Sequence, residues 1–244
     1  MTAATETFAV VDVPLENGLQ EGLVAKGLVD SSSRQNPIIV DFLSPKLRHR
    51  IKNGADGEAI VKALGVKHSE RAGQTVYDFT AGLGTEAFLL AVAGFTVVAF
   101  ERDPRVFELL VDGLKRWRAY EHECELAPLK LEFRLGDAAA WVRSGRQTRV
   151  HGVTLDPMFE GEAIEGKSAP KKEMATLRRM LKPSSDRELT DLFYAAFEVA
   201  EGRVVVKRPD GAPDLASVDV SGKPLKPTRR LEGKSARFDI YSCR

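Results

Sequence analysis

Four consecutive residues, Asp156-Pro157-Met158-Phe159, carry groups that could hold a planar amino group for alkylation. The short apolar run at residues 152–155 predicts a buried strand that delivers the acid to the open end of a parallel sheet. There the Asp156 carboxylate and the Pro157 backbone carbonyl could each accept a hydrogen from the amine. The ring of Phe159 could stack on the base that bears it. Alone, the tetrapeptide is a weak signal.

A glycine turn upstream, Asp78-Phe79-Thr80-Ala81-Gly82-Leu83-Gly84, adds a candidate site for a cofactor. Glycines allow close approach of a backbone to a ligand, and an acid just before the turn suits a cation and would repel a pyrophosphate. Together the two motifs predict a methyltransferase that uses S-adenosylmethionine and acts on an exocyclic nitrogen. In such a site Glu101 would accept hydrogen bonds from both ribose hydroxyls, and Asp137 and Ala138 would flank the adenine.

Other functions fit parts of the same pattern. The stretch from Gly82 to Ala87 also matches G-x-G-x-x-A, and Glu101 follows Gly82 by 19 residues, as in nicotinamide dehydrogenases. A dehydrogenase should also contain a Tyr-Lys pair or a catalytic histidine, and no such constellation stands out. The acceptor could instead be adenine N6 or a protein amide. A non-catalytic RNA-binding module is the third alternative, and intact acids at the strand ends argue against it.

Strands and helices alternate along most of the chain, which predicts a parallel sheet covered on both faces. Four predicted strands end in an acid, namely Asp78, Glu101, Asp137 and Asp156. Helix capping could explain one or two of these acids, but not easily all four. The predicted fold is α/β, a Rossmann-like class I methyltransferase with a mostly parallel twisted sheet. A C-terminal antiparallel hairpin and a small N-terminal α/β lobe complete it.

The individual elements follow from apolar periodicity and from capping residues. Strands are predicted at residues 37–42, 75–77, 95–100, 129–135, 153–155 and 203–207, and a hairpin at 225–231 and 236–241. Helices are predicted at residues 56–64, 85–93 and 171–181, after Asp103-Pro104, from Ala138, and from a Ser185–Glu188 capping box to about residue 200. Residues 1–35 lack strong periodicity. We therefore divide the chain into a lobe at 1–70 and a methyltransferase domain at 71–244.

Composition sets limits on the class of protein. Hydrophobic residues make up 43% and charged residues 29% of the 244, ordinary values for a globular protein. Neither a signal peptide nor an apolar run long enough to span a bilayer is visible, and Cys124 and Cys243 are expected to be free thiols in a reducing cytosol. The four histidines are scattered, so no metal site is expected. The net charge is only +1, but residues 167–182 and 222–237 each carry six basic residues against one acid.

Several stretches resemble the RsmJ family of bacterial small-subunit ribosomal RNA guanine-N2 methyltransferases. Besides the glycine turn, they are Val40-Asp41-Phe42, His49-Arg50, Phe100-Glu101-Arg102-Asp103-Pro104, Leu155-Asp156-Pro157-Met158-Phe159, Lys167-Ser168-Ala169, Lys171-Lys172-Glu173-Met174, Val204-Val205-Val206-Lys207-Arg208-Pro209-Asp210 and Arg237-Phe238-Asp239-Ile240-Tyr241. The likeness covers about residues 37–241. This chain departs from the family in having Thr85-Glu86 where Arg-Asp is usual, and Glu160 where Pro is common.

The resemblance implies methylation of the 2-amino group of a guanosine near the 3′ end of 16S rRNA, in free form or in the small ribosomal subunit. The implied cofactor contacts are Thr85, Glu86, Glu101, Arg102, Asp137, Ala138 and Asp156. The candidate RNA contacts are His49, Arg50, Lys171, Lys172, Lys207 and Arg208, whose charges could bind phosphates. Of these, Lys207 and Arg208 end a predicted strand beside the site.

Overall fold

The structure is a computed structural model that describes residues 7–16, 18–52, 54–145, 148–157, 176–177, 179–181, 184–209, 225–233 and 236–243. The strands are β1 (Phe8–Pro14), β2 (Val24–Asp30), β3 (Ile38–Ile39), β4 (Thr75–Asp78), β5 (Thr96–Glu101), β6 (Leu131–Leu135), β7 (Val150–Leu155), β8 (Ala200–Pro209), β9 (Arg229–Glu232) and β10 (Ala236–Ser242). The helices are α1 (Pro45–Ile51), α2 (Ala59–Leu64), α3 (Thr85–Val92), α4 (Pro104–Glu123), α5 (Ala138–Arg143) and α6 (Asp186–Val199).

The main sheet has seven strands in the order β6-β5-β4-β7-β8-β10-β9. The five strands from β6 to β8 run parallel, and β10 and β9 add to the edge as an antiparallel hairpin. The order reverses beside β4, so the carboxyl ends of β4, β5 and β7 form the crevice where doubly wound folds bind ligands. This architecture confirms the predicted Rossmann-like fold and its C-terminal hairpin.

Successive residues of the central strands point to opposite faces of the sheet, and each face has its own core. In β4, Val76 belongs to the cluster under α2, α3 and α4, whereas Tyr77 belongs to the cluster under α5 and α6. Both side chains are almost fully buried. Because both faces are covered, β5 and β8 contain continuous apolar runs, which explains why they could be predicted from the sequence.

Residues 7–16 and 18–35 contain two strands, although the sequence of residues 1–35 lacks strong periodicity. Strands β1 and β2 form an antiparallel hairpin in which Phe8 lies opposite Asp30, and β3 pairs with β2. The hairpin has little periodic signal because it depends on packing against α4, where the amide of Lys26 donates to Asp112 Oδ2 at 3.1 Å. A β1 of mostly half-buried and exposed residues gives only a weak periodic signal.

The N-terminal elements share a core with the main sheet. The ring of Phe42 stacks on Phe88 of α3 with centroids 4.7 Å apart, and both lie in one apolar cluster with Leu28 of β2 and Leu110 of α4. The division at residue 70 remains a proposal. Of the helices that the structure describes, none is long and apolar enough to cross a membrane.

Candidate active site

The glycine turn joins β4 to α3 and is fastened to both neighbouring strands. The amide of Phe79 donates to the carbonyl of Thr154 on β7 at 3.0 Å, and the amide of Ala81 donates to the carbonyl of Phe100 on β5 at 2.8 Å. Since β4, β5 and β7 are parallel, their terminal acids are brought to one edge of the sheet. The structure thus brings Asp78, Glu101 and Asp156 together around the turn, as the sequence predicted.

The two glycines of the turn have different surroundings, although both have positive φ. Gly84, with φ +74°, faces the core, and a Cβ there would lie 2.6 Å from Leu110 Cδ2 and 3.0 Å from Phe133 Cζ. Gly82, with φ +53°, faces open space, where among the described atoms only the Thr80 carbonyl comes within 4.0 Å of a Cβ. Gly84 therefore allows tight packing at the start of α3, and Gly82 leaves the backbone accessible to a ligand.

The Glu101 carboxylate lies directly against the glycine turn. Its Oε2 accepts from the amide of Gly82 at 3.0 Å, and its Oε1 accepts from the amide of Asp103 at 2.8 Å. The residue is buried, and burial raises the pKa of Glu101 above its usual range despite these bonds. Each carboxylate oxygen has a second lone pair, so the group can still accept from the two hydroxyls of a ribose.

Asp78 is the most deeply buried acid of the site, with 3% exposure. Its Oδ1 accepts from the amide of Thr80 at 3.1 Å. Burial raises the pKa of Asp78 to about 7, the charges of Glu86 and Asp156 act in the same direction, and that of Lys207 opposes them. A cationic ligand beside this carboxyl would favour its ionised form.

Lys207 links Glu86 of α3 to Asp156 at the end of β7. Its Nζ donates to Asp156 Oδ2 at 2.6 Å and to Glu86 Oε1 at 2.7 Å. Burial alone would lower the pKa of Lys207, but the two carboxylates outweigh it and hold the pKa above its usual range. The ammonium predicted to contact RNA is therefore engaged by two acids in this structure.

Thr80 is a site residue that the sequence reasoning missed. Its hydroxyl oxygen accepts from the backbone amide of Asp156 at 2.6 Å, while its own amide binds Asp78. It thereby fixes the start of the Asp156-Pro157 segment against the glycine turn. The position of a hydroxyl two residues after the β4 acid was the available signal. The Asp156 side chain is 42% exposed, so it can reach a substrate.

The remaining cofactor candidates surround this centre. Asp137 caps α5, where its Oδ1 accepts from the amide of Ala140 at 2.6 Å, and Ala138 is buried in the first turn. Arg102 follows Glu101 and lies 3.5 Å from Glu188, the residue that completes the confirmed capping box of α6. Thr85 begins α3 and is half-buried.

The RNA candidates lie in two places. On α1, His49 is exposed and Arg50 forms a two-pronged ion pair with Glu58, at 2.9 and 2.6 Å. The charge of Glu86 also helps to raise the pKa of Arg50, so α1 lies near the site. On β8, Arg208 is buried opposite Arg237 of β10. Three predicted residues, Phe159, Lys171 and Lys172, lie outside the described residues.

These features fit S-adenosylmethionine, which carries a sulfonium and an ammonium. Asp78, Glu86 and Asp156 supply negative charge at the edge of the sheet, Gly82 leaves room for close approach, and Glu101 can accept from ribose. Within the part of the chain that the structure describes, no group of three or more His, Cys, Asp or Glu side chains could hold a metal ion. The fold and the site define a class I methyltransferase.

Comparison with known proteins identifies the family. A family model described as "Putative SAM-dependent methyltransferase" matches residues 19–243. Ribosomal RNA small subunit methyltransferase J of Shewanella loihica is 39% identical over 235 residues, which cover 93% of this chain and 84% of that protein. The protein of the same name from Dechloromonas aromatica is 37% identical over 211 residues, 85% of this chain and 80% of that protein. The chain belongs to the ribosomal RNA small subunit methyltransferase J family and is an S-adenosylmethionine-dependent methyltransferase.

A solved structure agrees with this assignment. The crystal structure of a SAM-dependent methyltransferase from Neisseria gonorrhoeae superimposes with a TM-score of 0.63 at 32% identity. The match covers 89% of this chain and 79% of that one. The family and its cofactor thus confirm the prediction of methyl transfer over the nicotinamide dehydrogenase alternative.

Proposed function

We propose that this enzyme methylates the exocyclic 2-amino group of a guanosine in 16S rRNA. One observation carries the proposal: Asp156-Pro157 follows β7 directly beside the glycine turn, and Thr80 fixes its backbone there. The name of the relatives, ribosomal RNA small subunit methyltransferase J, supports small-subunit ribosomal RNA as the acceptor. The guanine amine rests on the family resemblance of the motif Asp156-Pro157-Met158-Phe159.

The chemistry follows from the electronic state of the amine. Its lone pair is delocalised into the guanine ring, which makes the nitrogen a poor nucleophile. The Asp156 carboxylate and the Pro157 carbonyl each accept one N–H, which turns the lone pair out of conjugation. When bound, the cofactor supplies an electrophilic methyl group on a sulfonium. Positioning of the amine by this chain supplies most of the acceleration, and the proton that the nitrogen loses passes to the Asp156 carboxylate or to water.

The acceptor base must leave any helical stack to reach the sheet edge, because a stacked guanine exposes neither its amine nor its face to an enclosed site. We propose that Phe159 stacks on this base. His49 and Arg50 would approach the RNA from the N-terminal lobe, and basic groups among Lys171, Lys172 and Arg208 would contact it from the methyltransferase domain. The cytoplasm, where small subunits are assembled, is the proposed location.

The acceptor can be tested with a labelled methyl group. Wild-type enzyme is incubated with labelled S-adenosylmethionine and with small subunits lacking the modification, naked 16S rRNA or tRNA, and each product is digested to nucleosides. We expect labelled N2-methylguanosine from a small-subunit substrate and none from tRNA. Label in N6-methyladenosine would replace guanine by adenine as the acceptor. If the enzyme binds the cofactor but transfers no label to any RNA, the ribosomal proposal is wrong.

A further inference from the structure

We propose that Lys207 is a positioning residue that holds the Asp156 carboxylate in the orientation required by the acceptor amine, and is not a phosphate contact. The inference rests on the proposed function, because Asp156 must act on an amine for its orientation to matter. Lys207 would then affect the methyl-transfer step indirectly, by orienting Asp156.

Strand pairing fixes the contact between the two side chains. In the parallel pair β7–β8, Leu155 lies opposite Val206, so the chain brings Asp156 and Lys207 together one residue further on. The Lys207 side chain is 27% exposed and Asp156 is 42% exposed, which leaves the carboxylate as the more accessible partner. The lysine stem is carried by a strand, not by a loop, so its ammonium has a defined position.

Glu86 of α3 completes the arrangement. An ammonium has three N–H donors, and Lys207 directs two of them to Glu86 and Asp156 at 2.7 and 2.6 Å. Charge-assisted bonds of this length are among the stronger ones in proteins. A phosphate would have to compete with two carboxylates already bonded to this ammonium. The same bond restrains the Asp156 carboxylate at the solvent-exposed edge.

The ammonium also makes the acidic cluster compatible with the folded state. Asp78, Glu86 and Asp156 interact electrostatically, and Lys207 is the cation that opposes the effect of the other two acids on the pKa of Asp78. Without Lys207, repulsion would turn the Asp156 carboxylate away from Asp78 and Glu86. We therefore expect loss of the lysine to impair the chemical step while RNA binding persists.

The test separates kcat from KM. Lys207→Met should lower kcat about 100-fold while the KM for the RNA substrate stays within about threefold, since a loss confined to the transition state appears in kcat. The salt dependence of RNA binding should keep its wild-type slope. Lys207→Arg, which keeps the charge, should recover at least about tenfold of the lost kcat. Lys130→Met, at an exposed lysine before β6, is the matched control and should behave as wild type.

A phosphate contact would give the opposite pattern. It predicts a raised KM, an unchanged kcat and a salt slope reduced by about one, and this result would overturn the inference. Coupling gives an independent check. In an Asp156→Ala background, Lys207→Met should lower kcat by less than about threefold further, because its partner is already gone. A full additional 100-fold loss would show that Lys207 acts without Asp156.

Two further measurements separate this inference from folding and from the proposed acceptor. Melting temperature establishes that each variant is folded. If wild type forms no N2-methylguanosine, the proposed function fails. If wild type is active and Lys207→Met keeps its kcat, only the present inference fails.

Discussion

Alanine substitutions at Gly82 and Gly84 should separate cofactor binding from folding. Both glycines have positive φ, and this left-handed backbone costs a non-glycine residue roughly 1–2 kcal/mol. At Gly84 the new Cβ also meets Leu110 at 2.6 Å, and overpacking of a core typically adds about 1–3 kcal/mol. We therefore expect Gly84→Ala to destabilise the protein by about 2–5 kcal/mol, and Gly82→Ala by about 1–2 kcal/mol.

The expected loss of cofactor affinity has the reverse order. The Cβ of Gly82→Ala would project into the open space beside the Glu101 carboxylate, where we place the cofactor, so the Kd should rise at least about tenfold, equivalent to about 1.4 kcal/mol. Gly145→Ala is the matched control for backbone strain, because Gly145 has φ +69° and none of the described atoms lies within 4 Å of a Cβ. It follows α5 and should leave cofactor affinity unchanged.

The assay combines thermal unfolding with calorimetric titration of S-adenosylhomocysteine. For a chain of this size, each 1 kcal/mol corresponds to about 2–4 °C in Tm. Gly82→Ala and Gly145→Ala should therefore melt within a few degrees of each other, and Gly84→Ala clearly below both. Wild-type affinity in Gly82→Ala would refute the placement of the cofactor at this turn. Equal Tm values for Gly84→Ala and Gly145→Ala would refute the packing argument.

Three further substitutions test the charges and the caps. The pKa of Asp78 is about 7 in the folded protein, and its ordinary value is 3.8. Between these two pH values the folded state retains a proton that the unfolded state releases. The free energy of unfolding of the wild type should therefore fall as pH rises from about 4 to 7 and then level off. Asp78→Asn should remove this pH-dependent contribution to stability, which is at most roughly 4 kcal/mol. Urea unfolding at pH 5 and pH 8 measures it. The same change in stability between the two pH values in wild type and variant would contradict the prediction. Glu101→Gln should raise the Kd for S-adenosylhomocysteine by roughly 10- to 100-fold through loss of a charged acceptor; calorimetry showing no change would exclude it from the ribose site. Ser185→Ala should lower stability by about 1 kcal/mol through loss of the α6 cap, with cofactor affinity intact as its control.

Much of the main sheet could be predicted because its strands and helices have strong local signals. Buried strands such as β5 contain continuous apolar runs, and Asp103 and Ser185 cap their helices as the sequence indicates. The β1–β2 hairpin could not be predicted in this way. Its pattern of half-buried residues is weak, and its stability comes from contacts with α4, far along the chain.

The same distinction between local signals and distant contacts applies to the residues of the site. Acids at strand ends could be placed because parallel strands must bring their carboxyl ends to one edge. The partners of Lys207 could not be predicted, because Glu86 lies 121 residues earlier and the contact depends on how α3 packs over the sheet. The role of Thr80 was not predicted for a similar reason, since its hydroxyl accepts a hydrogen bond from the amide of Asp156, 76 residues later. Such contacts are properties of the folded sheet and have no periodic signature in the sequence.

The central claim is that Asp156 orients the acceptor amine at the end of β7. Single-turnover transfer to the small-subunit RNA substrate, at saturating cofactor, tests it most directly with wild type, Asp156→Asn and Asp156→Ala. We predict that Asp156→Ala lowers the rate at least about 100-fold, a loss of about 2.7 kcal/mol of transition-state stabilisation, and that Asp156→Asn falls between the two. N2-methylguanosine formed by Asp156→Ala at the wild-type rate would contradict the account.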